Sequence, residues 1–547
     1  MFMKKKTVLL ALISIVMLVL AACGFGGKKE EGTKDSGKGK DSKQDLNLVI
    51  PSEPPSLNPQ LATDSTSGAV LRSVFEGLTR VDKDGKVQPA VAEKIDVSDD
   101  KKTYTFHLRD SKWSNGDAVT AKDFKYAWEF ALNPKNASEY ASILYSIKGA
   151  EAFNLGKGKV EDVGIEVKDD KTLVVTLENP TPYFTEITAF YTAMPVNEKV
   201  ATENKKWSAE GGEGYVSNGP FTLSDWKHSA SLTLKKNDSY WDKEAVSLNN
   251  VNIKMVESEA TANRMFKNNE IDFLGSPFQT VPLDAIDGYK KDKSLNIEDY
   301  AAIYEYKMNT TGEFTKNVNI RKALALSIDR QGLIDNVVKG EQTPALGMVP
   351  TAIAGFEDDR GYITDNNLDE AKKALAKGME ELGIKDAKDV KINISINTSE
   401  AHAAIAQYIQ EGWTKNLGIT TKIDNSEWQV FLDKMSSLDY TVGRMGWIAD
   451  YNDAYTFLER YDSAKNGNND TGWENKEYTD LMKKAVKETD EAKREKLLKD
   501  GEKILMTEFP VAPVYFYTNL WVEKDYVKNM APTSLGEISL KDVKIEK

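Results

Sequence analysis

Residues 444–453, RMGWIADYND, gather a cation, a Gly-Trp-Ile centre and an acid into one short run. Arg444 opens it, Gly446, Trp447 and Ile448 form its middle, and Asp450 follows. Trp447 and Tyr451 could supply an apolar floor. On that floor Asp450 is a carboxylate removed from water, which needs a partner. Residue types alone leave two partners open: Arg444, in a structural ion pair, or a cation carried by a ligand. Residues 440–443, Tyr-Thr-Val-Gly, read as a short buried strand, so the run sits where a strand gives way to a loop. In open α/β sheets ligands bind at that edge, beyond the carboxyl ends of the strands. A second candidate is the small, polar ATDSTS stretch, with Thr63, Asp64, Ser65, Thr66 and Ser67. It reads either as a plain surface loop or as a backbone ledge for a ligand.

Other chemistries leave no mark. The three histidines, His107, His228 and His402, stand too far apart in sequence to pair as metal ligands, so no metal and no cofactor is expected. There is no HExxH, G-x-S-x-G or phosphate loop. Ser98-x-x-Lys101 and Ser224-x-x-Lys227 match S-x-x-K but lie in a turn and between strands, not at a helix start. A glycosidase pair cannot be picked out of 85 acids. A net charge of −13 argues against a nucleic-acid partner, which would need a basic face.

The elements that position these residues follow from periodicity. Residues 46–50 read as a strand and 68–76 as a helix. Residues 104–108 alternate as a half-buried strand, and Thr120 with Asp123 resembles a capping box ahead of a helix that stops at Asn133-Pro134. Residues 320–330 read as a helix, and 368–382 as another, closed by Gly383. Then come a strand at 390–396, a helix at 401–416, a strand at 419–423, a helix at 427–435 and a strand at 440–442. This β-α-β-α-β order implies parallel strands whose carboxyl ends share one edge. It places residues 397–402, including His402, beside residues 443–453. The bland alternative for His402 is a surface residue at a helix start. Residues 511–517, VAPVYFY, read as a fully apolar strand.

The amino-terminal segment stands outside the fold. Lys4-Lys5-Lys6 and the apolar residues 7–20 form a secretory signal over residues 1–22. Leu20-Ala21-Ala22-Cys23-Gly24 resembles a lipobox, which makes Cys23, the only cysteine, the expected lipidation site. Residues 23–45 then read as a flexible tether. Without the signal's lysines the charge is −13 − 3 = −16, so the lipid rather than electrostatics would hold the body at an anionic membrane.

From about residue 46 onward the chain resembles the family-5 extracellular solute-binding proteins, the oligopeptide-binding lipoproteins of peptide importers. The resemblance rests on Ser56-Leu57-Asn58-Pro59, Phe75-Glu76-Gly77-Leu78, residues 89–93 and 104–109, and Trp113-Ser114-Asn115-Gly116-Asp117. It also rests on residues 321–324, Ile328-Asp329-Arg330 and residues 446–451. It implies an α/β, periplasmic-binding-protein-like type II fold with two lobes and an additional α+β domain. The implied boundaries are 46–76, 198–302 and 516–547 for the first lobe, 77–197 for the extra domain and 303–515 for the other lobe. It further implies an extended oligopeptide held between the lobes, with no catalytic step. Asp450 would pair with the peptide's α-ammonium. The Gly446-Trp447-Ile448 backbone and the Thr63–Ser67 ledge would flank the chain, and Arg444 and His402 would meet its carboxylate. Met435, beside Lys434, departs from relatives that carry an arginine there. Partners would be oligopeptides, the permease of an ABC importer and, through Cys23, the outer face of the bacterial cell membrane, with the protein a monomer. Rival readings are a signalling-peptide receptor, a nickel- or haem-chelate binder, and a secreted hydrolase.

Overall fold

The computed structural model describes residues 43–357 and 359–547; Cys23 and the signal segment lie outside them. Asp45–Ile50 is the first strand, with Leu46, Leu48 and Ile50 turned into the core. It pairs in parallel with Asn250–Met255, and the sheet continues antiparallel through Ser231–Lys236 to Phe221–Lys227. A second four-stranded sheet, wholly antiparallel, runs Ala92–Val97, Thr103–Leu108, Thr172–Thr176, Ile165–Asp169. Thr103–Leu108 alternates as expected, burying Tyr104, Phe106 and Leu108. The helix Ala121–Leu132 opens with the Thr120/Asp123 capping box.

The third sheet has seven strands and carries most of the candidate site. Its parallel portion is the expected β-α-β-α-β unit: strand Lys391–Asn397, helix Glu400–Leu417, strand Thr420–Ser426, helix Trp428–Ser436, strand Val442–Ile448. Val442–Ile448 also pairs antiparallel with Asn296–Met308, from Met308 opposite Val442 to Ala302 opposite Ile448. Asn296–Met308 in turn pairs with Val511–Glu523. That long ladder is broken where Asp299 faces Thr518 and Ile303 faces Phe516. Three residues there oppose one, a bulge that bends the ladder. Most buried apolar side chains form one continuous core.

Three local expectations change. The strand expected at residues 440–442 runs Val442–Ile448, so Arg444 through Ile448 are strand rather than loop. Gly443 and Gly446 are poor strand formers, and a partner some 140 residues away overrides that preference. The helix expected at 68–76 is Ser65–Val74, with Asp64 as its cap. Ser65, Thr66 and Ser67 are therefore a first helical turn, because the Asp64 carboxylate accepts the Ser67 amide at 3.0 Å and its hydroxyl at 2.6 Å. The helix expected at 320–330 stops at Leu326. Ser327 bonds back to the Ala323 carbonyl at 2.8 Å, and Asp329 caps a new turn through Gly332 at 3.0 Å.

Candidate functional site

A cavity of about 560 Å³ lies where the elements converge. Thr63, Asp64, Ser65, Thr66, His402, Arg444, Gly446, Trp447, Ile448 and Asp450 all line it. Ser67 does not: it is fully buried and spends its hydroxyl on Asp64. Tyr451 is no floor either, since its ring is buried against Tyr183 at 4.1 Å and its hydroxyl donates to Glu459 at 2.8 Å.

The cavity exposes one edge of the strand Val442–Ile448. Its pairing with Lys391–Asn397 covers only Ile394 opposite Val442 and Ser395 opposite Gly443. The Ala449 amide donates to the Ala301 carbonyl at 2.9 Å, so alternate residues face the antiparallel partner. Gly446 and Ile448, of the other parity, therefore aim N–H and C=O at the open edge. Backbone groups aimed at a cavity need partners. At Gly446 a Cβ would sit 3.3 Å from the Ile303 carbonyl oxygen and 3.4 Å from the Tyr517 hydroxyl, so glycine leaves this stretch of the wall unobstructed.

Arg444 and Asp450 do not pair with each other, and neither makes an ion pair among the described residues. Arg444 spreads over the Tyr304 ring at 4.9 Å and donates to the Tyr517 hydroxyl at 3.0 Å and Asn397 Oδ1 at 3.4 Å. Its contact with Asn397 realises the shared edge read from the sequence. His402 Nδ1 lies 3.4 Å from the Tyr304 hydroxyl. Burial, helped by the Arg444 charge, holds the imidazole well below its ordinary titration range. His402 is thus a neutral ring in the empty site, and Arg444 is the cation at that end.

Asp450 is half-buried at the other end. Burial pushes its carboxyl up to about 7, although Arg72 and Arg460 pull it down. The Tyr140 hydroxyl is 3.5 Å from Asp450 Oδ1. Both arginines are already engaged: Arg72 with Glu537 at 2.7 Å, and Arg460 with the buried Glu305 at 2.7 Å. Asp450 is therefore a poorly compensated carboxylate facing a cavity. Trp447 is held beside it, stacked on Tyr140 at 6.0 Å with the Arg460 guanidinium 4.4 Å from its ring.

Sequence reasoning missed several wall residues. Arg72 comes from the ledge helix, and Tyr140 and Glu139 come from the second sheet's domain. Burial, with Asp470 and Asp433 nearby, pushes Glu139 up to about 7, though the residue keeps an exposed face. No spacing in the chain links these residues to position 450.

A two-lobed α/β fold enclosing a cavity with an open strand edge and opposite charges at its ends defines a solute-binding protein. The model for bacterial extracellular solute-binding proteins, family 5, matches residues 86–469, and the chain belongs to that family. The oligopeptide-binding protein OppA of Bacillus subtilis is 52% identical over 541 residues, covering 98% of each chain. A structure of Haemophilus influenzae OppA in complex with the peptide RPPGFSPFR superposes with a TM-score of 0.87 at 31% identity, covering 93% of this chain and 100% of that one. The unliganded open form of the murein tripeptide binding protein MppA reaches only 0.60 at 29% identity, covering 92% of this chain and 97% of that one.

Proposed function

We propose that the protein captures oligopeptides and passes them to the permease of an ABC importer. The observation that carries this is the pair of uncompensated charges, Asp450 and Arg444, at opposite ends of the open edge of one strand. An extended peptide matches that pattern. Its ammonium meets Asp450, its backbone bonds to Gly446 and Ile448, and its carboxylate reaches toward Arg444 beside His402. Thr63, Asp64, Ser65 and Thr66 close the opposite wall. Recognition through backbone suits a receptor of low sequence preference, because every peptide offers the same groups. The relatives' peptide-binding names and the bound nonapeptide support this reading.

The two lobes close on the ligand about the strands Asn296–Met308 and Val511–Glu523, with limits near residues 302/303 and 515/516, beside the ladder's bulge. The higher TM-score to the peptide complex than to the open form supports a closed arrangement here. There is no catalytic step, and the protein acts as a monomer. Calorimetry against a random peptide pool and against nickel and haem chelates tests the ligand class. Heat from chelates alone would overturn the peptide reading, and peptide fragments in the recovered mixture would favour a hydrolase. Cys23 anchors the protein by lipid outside the cytoplasm. Cys23→Ala should abolish incorporation of a labelled fatty acid, and equal incorporation in the two proteins would refute the anchor.

A further inference from the structure

Two helices from distant parts of the chain share a sequence at their first turns. Ser258-Glu259-Ala260 opens Glu259–Lys267, and Ser399-Glu400-Ala401 opens Glu400–Leu417. Each serine caps its own helix: Ser258 Oγ accepts the Thr261 amide at 3.2 Å, and Ser399 Oγ accepts the His402 amide at 3.2 Å. Each glutamate crosses to the other helix. Glu259 Oε1 accepts the Ser399 hydroxyl at 2.6 Å and the Ala401 amide at 3.4 Å. Glu400 accepts the Ser258 hydroxyl at 2.8 Å and the Ala260 amide at 3.2 Å.

The arrangement is reciprocal. Two helix amino termini, each a partial positive pole with orphan N–H groups, meet end to end. Left bare, they would repel. The two carboxylates between them satisfy orphan donors on the facing helix and reverse the electrostatic sign. Every one of these crossing bonds spans 140 or 142 residues, so none survives separation of the two helix starts. The junction touches the cavity directly, since Ala401 and His402 line it and His402 is held by the same Ser399 hydroxyl. Elsewhere the rings of Tyr183 and Tyr451 stack at 4.1 Å and the Asn452 amide donates to Glu186 at 2.7 Å.

We infer that the paired Ser-Glu-Ala helix starts form a reciprocal clasp across the cleft, and that Glu259 and Glu400 set how long a closed, ligand-loaded state persists. This rests on the reading that the lobes open and close around a peptide. Glu400 is the cleaner probe, being exposed and remote from the core. In the full-length protein, Glu400→Ala should raise the dissociation rate of a fluorescent peptide roughly 10-fold, since hydrogen bonds to a charged group are lost only in the closed state. The association rate should stay within about twofold, because the open state lacks the bonds. Ser258→Ala combined with Glu400→Ala should add little beyond Glu400→Ala alone, as the two groups share one bond. A dissociation rate unchanged in both Glu400→Ala and Glu259→Gln would overturn the clasp. Failure of the wild type to bind any peptide would overturn the peptide reading alone. The clasp is then read by amide exchange at Ala260 in protein closed by a nickel or haem chelate, because the open, ligand-free state lacks the bonds. Glu400→Ala should accelerate that exchange by about 10-fold or more, and equal exchange would overturn it.

Discussion

Asp450 concentrates the electrostatic demand of the cavity. Its own neighbours do not satisfy it, so a ligand cation is the missing partner. Removing one member of a buried pair costs about 3–5 kcal/mol, so Asp450→Ala should weaken peptide binding by roughly 10²- to 10³-fold or more. N-acetylating the peptide should weaken the wild type strongly and Asp450→Ala far less. Equal losses in the two proteins would show that the ammonium and Asp450 do not meet. The raised titration near 7 adds a pH signature. Below about pH 7 the empty site carries a proton that the ammonium must displace, so affinity should fall as pH drops. Above about pH 8 the peptide's own α-amino group deprotonates and affinity should fall again. For the ligand-free fold the sign is opposite. A carboxyl raised from 3.8 to about 7 binds its proton more tightly folded than unfolded, so this group's contribution to stability is lost as pH rises through that window. Asp450→Asn should therefore melt higher than wild type at pH 8 without peptide, and the gap should close near pH 4. A melting difference independent of pH would refute that origin.

At the scale of elements, the decisive object is a strand half paired. Val442–Ile448 is tied along one side to Asn296–Met308 and leaves Lys391–Asn397 after Gly443. The vacancy between the diverging strands has the geometry of a missing strand. A peptide filling it gains backbone bonds of about 1 kcal/mol each. Replacing the ligand amide that faces Gly446 or Ile448 with an ester removes one N–H and leaves the shape unchanged. Affinity should fall about 5-fold for that ester, and not for one whose amide points elsewhere. A set of esters that all bind like the parent peptide would exclude strand addition here.

For the whole molecule, the cavity exists only because three bodies meet: the ledge helix, the second sheet's domain and the seven-stranded sheet. Ligand binding that uses walls from separate lobes must favour the closed state. Small-angle scattering should therefore give a smaller radius of gyration with saturating peptide than without. An unchanged radius would mean that the lobes do not close on the ligand.

The sequence alone carried the parallel unit of residues 390–442, because its apolar periods switch cleanly between 2 and 3.6, the helix before it ends at Gly383 and its first helix ends at Gly418, both with left-handed backbone. It carried the shared edge of Asn397 and Arg444 for the same reason, since parallel strands fix where their ends lie. It also marked Asp450, an acid in apolar company. What it could not carry was pairing at a distance. The motif becomes strand through Asn296–Met308, the ledge becomes a helical turn through a capping bond, and Arg444 turns to Tyr304 and Tyr517 rather than to Asp450. His402 loses its charge through burial, which no local pattern encodes. Periodicity reports which face of an element is apolar; only the assembled molecule decides which other element covers that face, and so which charges are left for a ligand.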